Sequence, residues 1–301
     1  MLAFRRPGDQ ILQSALENLL RAGGKRIRPT VALLTGQMLG APRDSLLSFA
    51  AGIEMLHTAT LVHDDLIDGA TLRRGSPTLN SRWSTEATVL AGDYIFACAA
   101  HLASQTDSLE VMQEFARTLI TIISGELGQM FERSTLISNE DYERRIYAKT
   151  AALFELASCG GALLCKERPE VVQALGRYGR CLGMAFQIVD DVMDFTGQTV
   201  QIGKPVGSDL RQGLITLPAL YYQKRHPEDG RFATLMDSNP LSGTDADQLV
   251  ETIGRSDAIQ ESLAQARRYV SEAKQLLESL PENRYRQALL ELTDYVVSRE
   301  L

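Results

Sequence analysis

Along most of this chain apolar residues recur at intervals of three and four, the spacing of a single buried helix face. Ile11, Leu12, Ala15, Leu16, Leu19 and Leu20 make the first such stripe, and Gly23-Gly24 end it. Pro29 opens a second run that closes near Gly40, and Asp44 stands where an N-cap would begin a third of roughly 25 residues. Further runs occupy about 86–104, 108–133, 139–165, 169–195, 213–226, 245–253, 256–279 and 282–299. No stretch sustains period-2 alternation, and no Asn-Gly or Asp-Gly turn joins two β-branched runs. Residues 196–212 read as a Gly-rich loop and 227–244 as a polar connection, neither with the character of a linker between units. The pattern predicts an all-α fold, a single-domain antiparallel helix bundle spanning 1–301.

Two of these runs end in acid. His63-Asp64-Asp65-Leu66-Ile67-Asp68 closes the third, and Gln187-Ile188-Val189-Asp190-Asp191-Val192-Met193-Asp194 closes the run from 169. Residues i and i+4 share a helix face, so Asp64 with Asp68, and Asp190 with Asp194, make two-carboxylate claws. Like charges one turn apart repel, and carboxylates at a helix C-terminus also meet the negative end of the macrodipole. The arrangement calls for cations. Hard divalent ions fit, since Mg²⁺ is typically held by one or two carboxylates plus substrate phosphates.

Composition narrows the partners. With 31 Lys and Arg against 38 Asp and Glu the formal charge is −7, which argues against a nucleic-acid partner. Any phosphate site must therefore be a local basic patch. Cys98, Cys159, Cys165 and Cys181 lie in apolar runs without a C-x-x-C spacing and are expected as buried free thiols. No run reaches the roughly 18 uninterrupted apolar residues of a membrane span, and Met1–Gly8 is too short and polar for a signal peptide. The expectation is a cytoplasmic protein that does not span a membrane.

Three basic segments flank the acid. Gly24-Lys25-Arg26-Ile27-Arg28-Pro29 sets three cations within four residues beside a helix start, where free N–H groups also favour anions. Arg73-Arg74-Gly75 follows the first cluster and offers guanidinium forks for phosphate oxygens. Gly203-Lys204-Pro205-Val206-Gly207-Ser208-Asp209-Leu210 follows the second; its glycines permit close approach and Lys204 brings a compact charge. Asp209 reads equally as a further metal oxygen or as a loop cap. His57 with Glu54 forms half of a di-iron Glu-x-x-His signature, but His63, His101 and His226 have no glutamate three positions before them, so that reading fails.

Together with Lys149-Thr150 and Phe186-Gln187, these motifs resemble the trans-isoprenyl diphosphate synthases, the polyprenyl synthetase family, from Gly24 to about Pro218. The resemblance implies an isoprenoid synthase-like bundle around a deep central cavity. It implies a prenyltransferase that joins isopentenyl diphosphate head to tail onto an allylic diphosphate, farnesyl or geranylgeranyl. About three Mg²⁺, with Mn²⁺ as a substitute, would sit on Asp64, Asp68 and Asp190, supported by Asp65, Asp191 and Asp194. Arg73, Lys149 and Lys204 would contact the allylic diphosphate, while Lys25, Arg28, His57 and Arg74 would bind isopentenyl diphosphate without metal. Thr150 and Gln187 would turn oxygen dipoles toward the carbocation, with Phe154 as a pocket wall, and the departing diphosphate would take the final proton. Members of the family are mostly homodimers, and the apolar runs 86–104 and 108–133 could form the contact.

The resemblance has one gap: many members carry a lysine where this chain has Leu214, before Thr216-Leu217-Pro218. It also suggests a ruler. An isoprene unit spans about one helical turn, so a tail anchored at Asp64 would run back past Thr60 and Ala59 toward Leu56 and Met55. Thr60 and Ala59 are small, which leaves the level open and predicts a product of about C30 to C50. Farnesyl or geranylgeranyl diphosphate synthase is the alternative within the family, and a non-catalytic partner subunit of a heteromeric synthase the alternative outside it. A terpene cyclase is disfavoured, because both clusters are complete.

Overall fold

A computed structural model of the chain describes residues 7–21, 23–73, 75–131, 138–196, 206–232 and 243–298. The predicted runs are present as helices α1 (Pro7–Arg21), α2 (Ile27–Leu39), α3 (Arg43–Ile67), α4 (Thr85–Ser104), α5 (Leu109–Phe131), α6 (Asn139–Ile146), α7 (Ala152–Leu164) and α8 (Pro169–Thr196). Then follow α9 (Ser208–Arg211), α10 (Leu217–Arg225), α11 (Gly243–Gly254), α12 (Asp257–Glu278) and α13 (Arg284–Ser298). Ser84 caps α4 through its hydroxyl, and Ser138 with Asp141 forms a capping box on α6.

Four local features depart from the sequence reading. Asp44 is not the N-cap of α3; Pro42 holds that position, and Asp44 lies in the first turn, where an acid suits the dipole. The predicted 139–165 helix is interrupted by a π-helical turn, Tyr147–Ala151. The 196–212 loop contains the one-turn helix α9. After α3, two residue pairs form a small antiparallel ribbon, β1 (Leu72–Arg73) against β2 (Ser76–Pro77), with Arg73 opposite Ser76.

Helix α8 runs through the centre against α7, the π turn, α12 and α13, while α3 packs on α4, α2 and α7. Their shared interior is filled by Phe49, Ile53, Leu56, Phe154, Leu156, Leu182, Met184 and Ile188, all essentially inaccessible to solvent. Two glycines set the helix spacing. A Cβ on Gly161 of α7 would come 2.5 Å from the backbone N of Gly36 on α2, and one on Gly183 of α8 would come 2.6 Å from Cα of Ala151. The second contact presses α8 onto the π turn, about two turns before the acidic end of α8. Of the cysteines, Cys159 and Cys181 are buried as expected, whereas Cys98 and Cys165 are only partly so; all four are free thiols. Helices α3 and α4 are long and apolar enough to cross a membrane by length and composition, a test that core helices also pass; half of the apolar stretch of α3 is buried inside the protein.

Candidate active site

The acidic ends of α3 and α8 are built differently from two symmetrical claws. On α3, Asp64 is half-buried and Asp68, the helix C-cap, is exposed. Burial pushes Asp64 up to about 6; Lys149 opposes the shift, while Glu126 and Asp68 add to it. Asp65 points elsewhere. It is buried and accepts from Arg73 Nε at 2.7 Å, which ties the ribbon to the helix. Lys149 approaches Glu126 at 3.5 Å; burial lowers its pKa, but the charges of Glu126, Asp64 and Asp68 outweigh this and raise it.

On α8, Asp190 is half-buried, Asp191 and Asp194 buried. The Asp194 carboxylate is engaged by α9. Its Oδ1 accepts from the backbone N of Ser208 at 3.1 Å and from Ser208 Oγ at 2.9 Å, and its Oδ2 accepts from Asp209 N at 3.2 Å. The carboxylate caps α9, with its lone pairs directed at two backbone N–H groups and the Ser208 hydroxyl. Asp191 is also engaged. Tyr142 Oη donates to its Oδ2 at 2.7 Å and Gln187 Nε2 to its Oδ1 at 2.8 Å. Burial, then the charge of Asp209, lifts Asp191 to about 7, against the lowering effect of those two hydrogen bonds and of Arg145.

The π turn links the two ends. It admits one extra residue into the helix, and Lys149 and Thr150 leave it toward different helices. Lys149 faces the acids of α3, whereas Thr150 Oγ1 donates to Gln187 Oε1 on α8 at 2.6 Å. Thr150, Gln187, Asp191 and Tyr142 thus form a continuous hydrogen-bonded chain.

The basic N-terminal segment divides. Arg28 lies with its guanidinium carbon 4.6 Å from the centre of the Phe154 ring and 5.9 Å from that of Phe186, and its Nη1 is 3.3 Å from His57 Nε2. Phe154 is therefore a shelf beneath Arg28. Arg26 pairs with Glu54, which gives that glutamate a structural partner. Lys25 is exposed and sits 5.7 Å over the ring of Tyr295, outside the Arg28–His57 contact. Arg74 and Lys204, expected at the two diphosphates, lie outside the described residues. A cavity of about 770 Å³ runs beside α3, lined by Arg26, His57, Asp65, Arg73, Arg82 and Trp83 among others.

The proposed ruler positions also separate. Thr60 lies one turn before Asp64 on the same face and is half-buried; its hydroxyl bonds back to the His57 carbonyl. Ala59 and Leu56 are fully buried, and Ala59 clusters with Val62 and Ile95, with Met55 and Phe96 packed against them.

Among the described residues, no three His, Cys, Asp or Glu side chains converge tightly enough to hold a metal by themselves. One or two carboxylates per helix end is the donor set that suits Mg²⁺ shared with a phosphate ligand. Asp64, burdened by burial and by acidic neighbours, is a group whose ionised form a divalent cation would favour. Tyr142, Glu126 and Arg145 escaped the sequence reading. The only clue was spacing, because Tyr142 and Arg145 precede Lys149 by about two turns and one turn.

A helix bundle with two acidic helix ends linked through the π turn and a basic pocket beside α3 defines a class of protein that handles anionic ligands through cations, and the comparisons specify it. Residues 9–253 match the polyprenyl synthetase family. Heptaprenyl diphosphate synthase component 2 of Geobacillus stearothermophilus is 38% identical over 291 residues, covering 96% of this chain and 90% of that protein. A polyprenyl synthase from Caulobacter crescentus CB15, solved with calcium and isoprenyl diphosphate, matches with TM-score 0.90 at 36% identity, over 97% of this chain and 90% of the other. Heptaprenyl diphosphate synthase from Staphylococcus aureus matches with TM-score 0.92 at 32% identity, over 98% and 94%. This chain belongs to the polyprenyl synthetase family.

Proposed function

We propose that the protein is a trans-polyprenyl diphosphate synthase that condenses isopentenyl diphosphate head to tail with an allylic diphosphate, farnesyl or geranylgeranyl, to give a product of about C30 to C50. The observation that carries this reading is the placement of Lys149 between the acids of α3 and the Thr150–Gln187 link to α8. Asp64, Asp68 and Asp190 would hold about three Mg²⁺, or Mn²⁺, whose chemistry is to neutralise charge gathering on the leaving diphosphate. Arg73, fixed by Asp65, and Lys149 meet the same diphosphate. Arg28 and His57 receive isopentenyl diphosphate, with Lys25 at the rim. Holding the two anions in separate, rigid pockets aligns the nucleophilic double bond with the allylic carbon. Gln187 and Thr150 face the developing cation with oxygen dipoles. Asp191 and Asp194 act at one remove: the first orients Gln187, the second sets the 206–211 turn.

Helices α4 and α5 expose Leu90, Ile120, Ile123, Leu127 and Phe131, an apolar face that suits a second copy of the chain. We assign the protein to the cytoplasm as a homodimer, and light scattering on the purified chain tests the dimer directly. The Geobacillus relative's designation as a component brings a second reading, a subunit active only with another polypeptide. Incubating the purified chain alone with isopentenyl diphosphate, farnesyl diphosphate and Mg²⁺, then sizing the products, separates the two. Products of C30 or longer support the proposal; no turnover without a second protein overturns the homomeric reading.

A further inference from the structure

Arg145 on α6 is a largely enclosed arginine that no part of the mechanism above uses. Its Nη2 donates to the carbonyl of Ile215, in the turn that follows Leu214. Its charge is felt by Asp191 and Asp209, and its guanidinium carbon lies 5.7 Å from the centre of the Tyr142 ring. Tyr142, one turn before it, is the residue that holds Asp191. A guanidinium has five N–H donors, so the Ile215 contact anchors the group without exhausting it.

The surroundings are acidic. Asp190, Asp191 and Asp194 on α8 and Asp209 on α9 gather at this end of the bundle. Among the described residues, Arg145 is the cation whose charge acts on the buried Asp191. The turn it holds is the one where Leu214 offers no charge; Leu214 N itself bonds to the Asp209 carbonyl at 2.9 Å. Burying an arginine is costly unless its charge is answered. Here the answer comes from Asp191 and Asp209, the carboxylates that neighbour Asp190 at this end of the bundle.

We propose that Arg145 is a positioning residue of the second aspartate cluster. It supplies, from α6, the fixed positive charge that position 214 lacks, and keeps the Asp190–Asp209 end poised for the metal–diphosphate complex. This rests on the synthase reading above. The arrangement is a relocation of charge: a flexible ammonium from the 213–216 turn is replaced by a rigid guanidinium from α6, tied to the same turn by a hydrogen bond.

The test measures binding of an unreactive farnesyl thiolodiphosphate at increasing Mg²⁺ by calorimetry, alongside steady-state kinetics, in the full-length protein. Arg145→Gln keeps a donor for the Ile215 carbonyl and removes only the charge. It is expected to weaken analogue binding and raise the Mg²⁺ needed for half-saturation by about tenfold, while KM for isopentenyl diphosphate stays within about twofold. Arg145→Lys should recover most of the binding, and adding Leu214→Lys to Arg145→Gln should restore it to within about threefold. Wild-type binding by Arg145→Gln would overturn the proposal and leave only a turn-pinning hydrogen bond. Equal losses for both substrates, or no rescue by Leu214→Lys, would overturn it too. If Arg145→Gln fails to fold, the double variant carries the test: restored binding supports the proposal and absent binding in a folded protein rejects it. A wild-type chain that binds no analogue with Mg²⁺ removes the synthase reading itself, a distinct outcome.

Discussion

Tyr142 donates its hydroxyl to Asp191 at 2.7 Å, joining α6 to the acidic end of α8 across 49 positions of sequence. Asp191 is thereby held as an acceptor for Gln187, whose amide oxygen in turn receives the Thr150 hydroxyl. The polar chain fixes both Thr150 and Gln187. Tyr142→Phe is expected to lower kcat by about tenfold with little change in either KM, because one charge-assisted hydrogen bond is lost while both diphosphate pockets stay intact. Unchanged kcat would show that Asp191 orients itself without Tyr142.

Asp64→Ala and Asp190→Ala should each lower kcat by at least about 10³-fold, and EDTA should abolish turnover. Asp194→Ala should behave differently. Its carboxylate caps α9, so the expected signature is a lower melting temperature and faster proteolysis near 206–211. A melting temperature equal to wild type, with catalysis lost, would return Asp194 to the metal site.

The raised pKa values set a pH dependence for the metal-free protein. Asp191, at about 7 in the folded chain, keeps its proton between the ordinary aspartate range and that value, whereas the unfolded chain has released it. Stability should therefore fall as pH rises from about 4 to about 7, by a few kcal/mol in order of magnitude. Asp64 contributes in the same direction up to about 6. Urea melts in EDTA at pH 5 and pH 8 read this out, and Asp191→Asn should flatten the slope; an equal slope in the variant assigns the effect to other groups.

Arg28 should resist even conservative replacement. Arg28→Lys keeps the charge but loses the planar face against Phe154, so KM for isopentenyl diphosphate should rise about tenfold and KM for the allylic partner far less. Parallel increases in both constants would contradict the division of the two anion pockets.

Product length is tested best at Thr60, on the face of Asp64. Thr60→Phe should halt elongation near C15 to C20, with the first condensation within about threefold of wild type. Ala59→Phe must also displace Ile95 and Val62, and overpacking of that kind costs about 1–3 kcal/mol, so a lower melting temperature should accompany any shortening. Products of C30 or longer from Thr60→Phe, by mass spectrometry, would place the tail elsewhere.

The helix pattern was legible because burial is one-sided and periodic: α4, α5, α8 and α12 begin and end within a few residues of their apolar stripes. The aspartates were legible as acid where apolar residues end. Their division of labour was not. Nothing in D-D-x-x-D marks Asp194 for a helix cap fourteen residues on, or Asp191 for a tyrosine far upstream, since both partners are set by tertiary approach. The π turn escaped for a related reason. One extra residue in a helix leaves the apolar period nearly intact, and only the divergence of Lys149 and Thr150 exposes it. Gly40, at positive φ, was readable as a stop, whereas Gly161 and Gly183 serve helix contact, which no local signal announces.

The contact at Gly183 bears on how such a protein can change. Because a methyl group there would land 2.6 Å from the Ala151 backbone, the distance between α8 and the π turn has no slack. Thr150 and Gln187 inherit that spacing, so their alignment is a property of the helix crossing more than of their own side chains. Variation that tunes product size can accumulate along α3, on the opposite wall, without disturbing it. Laboratory evolution of chain length should accordingly find many tolerated solutions around Thr60 and Met55 and almost none at 183, so that specificity drifts while the chemistry stays put.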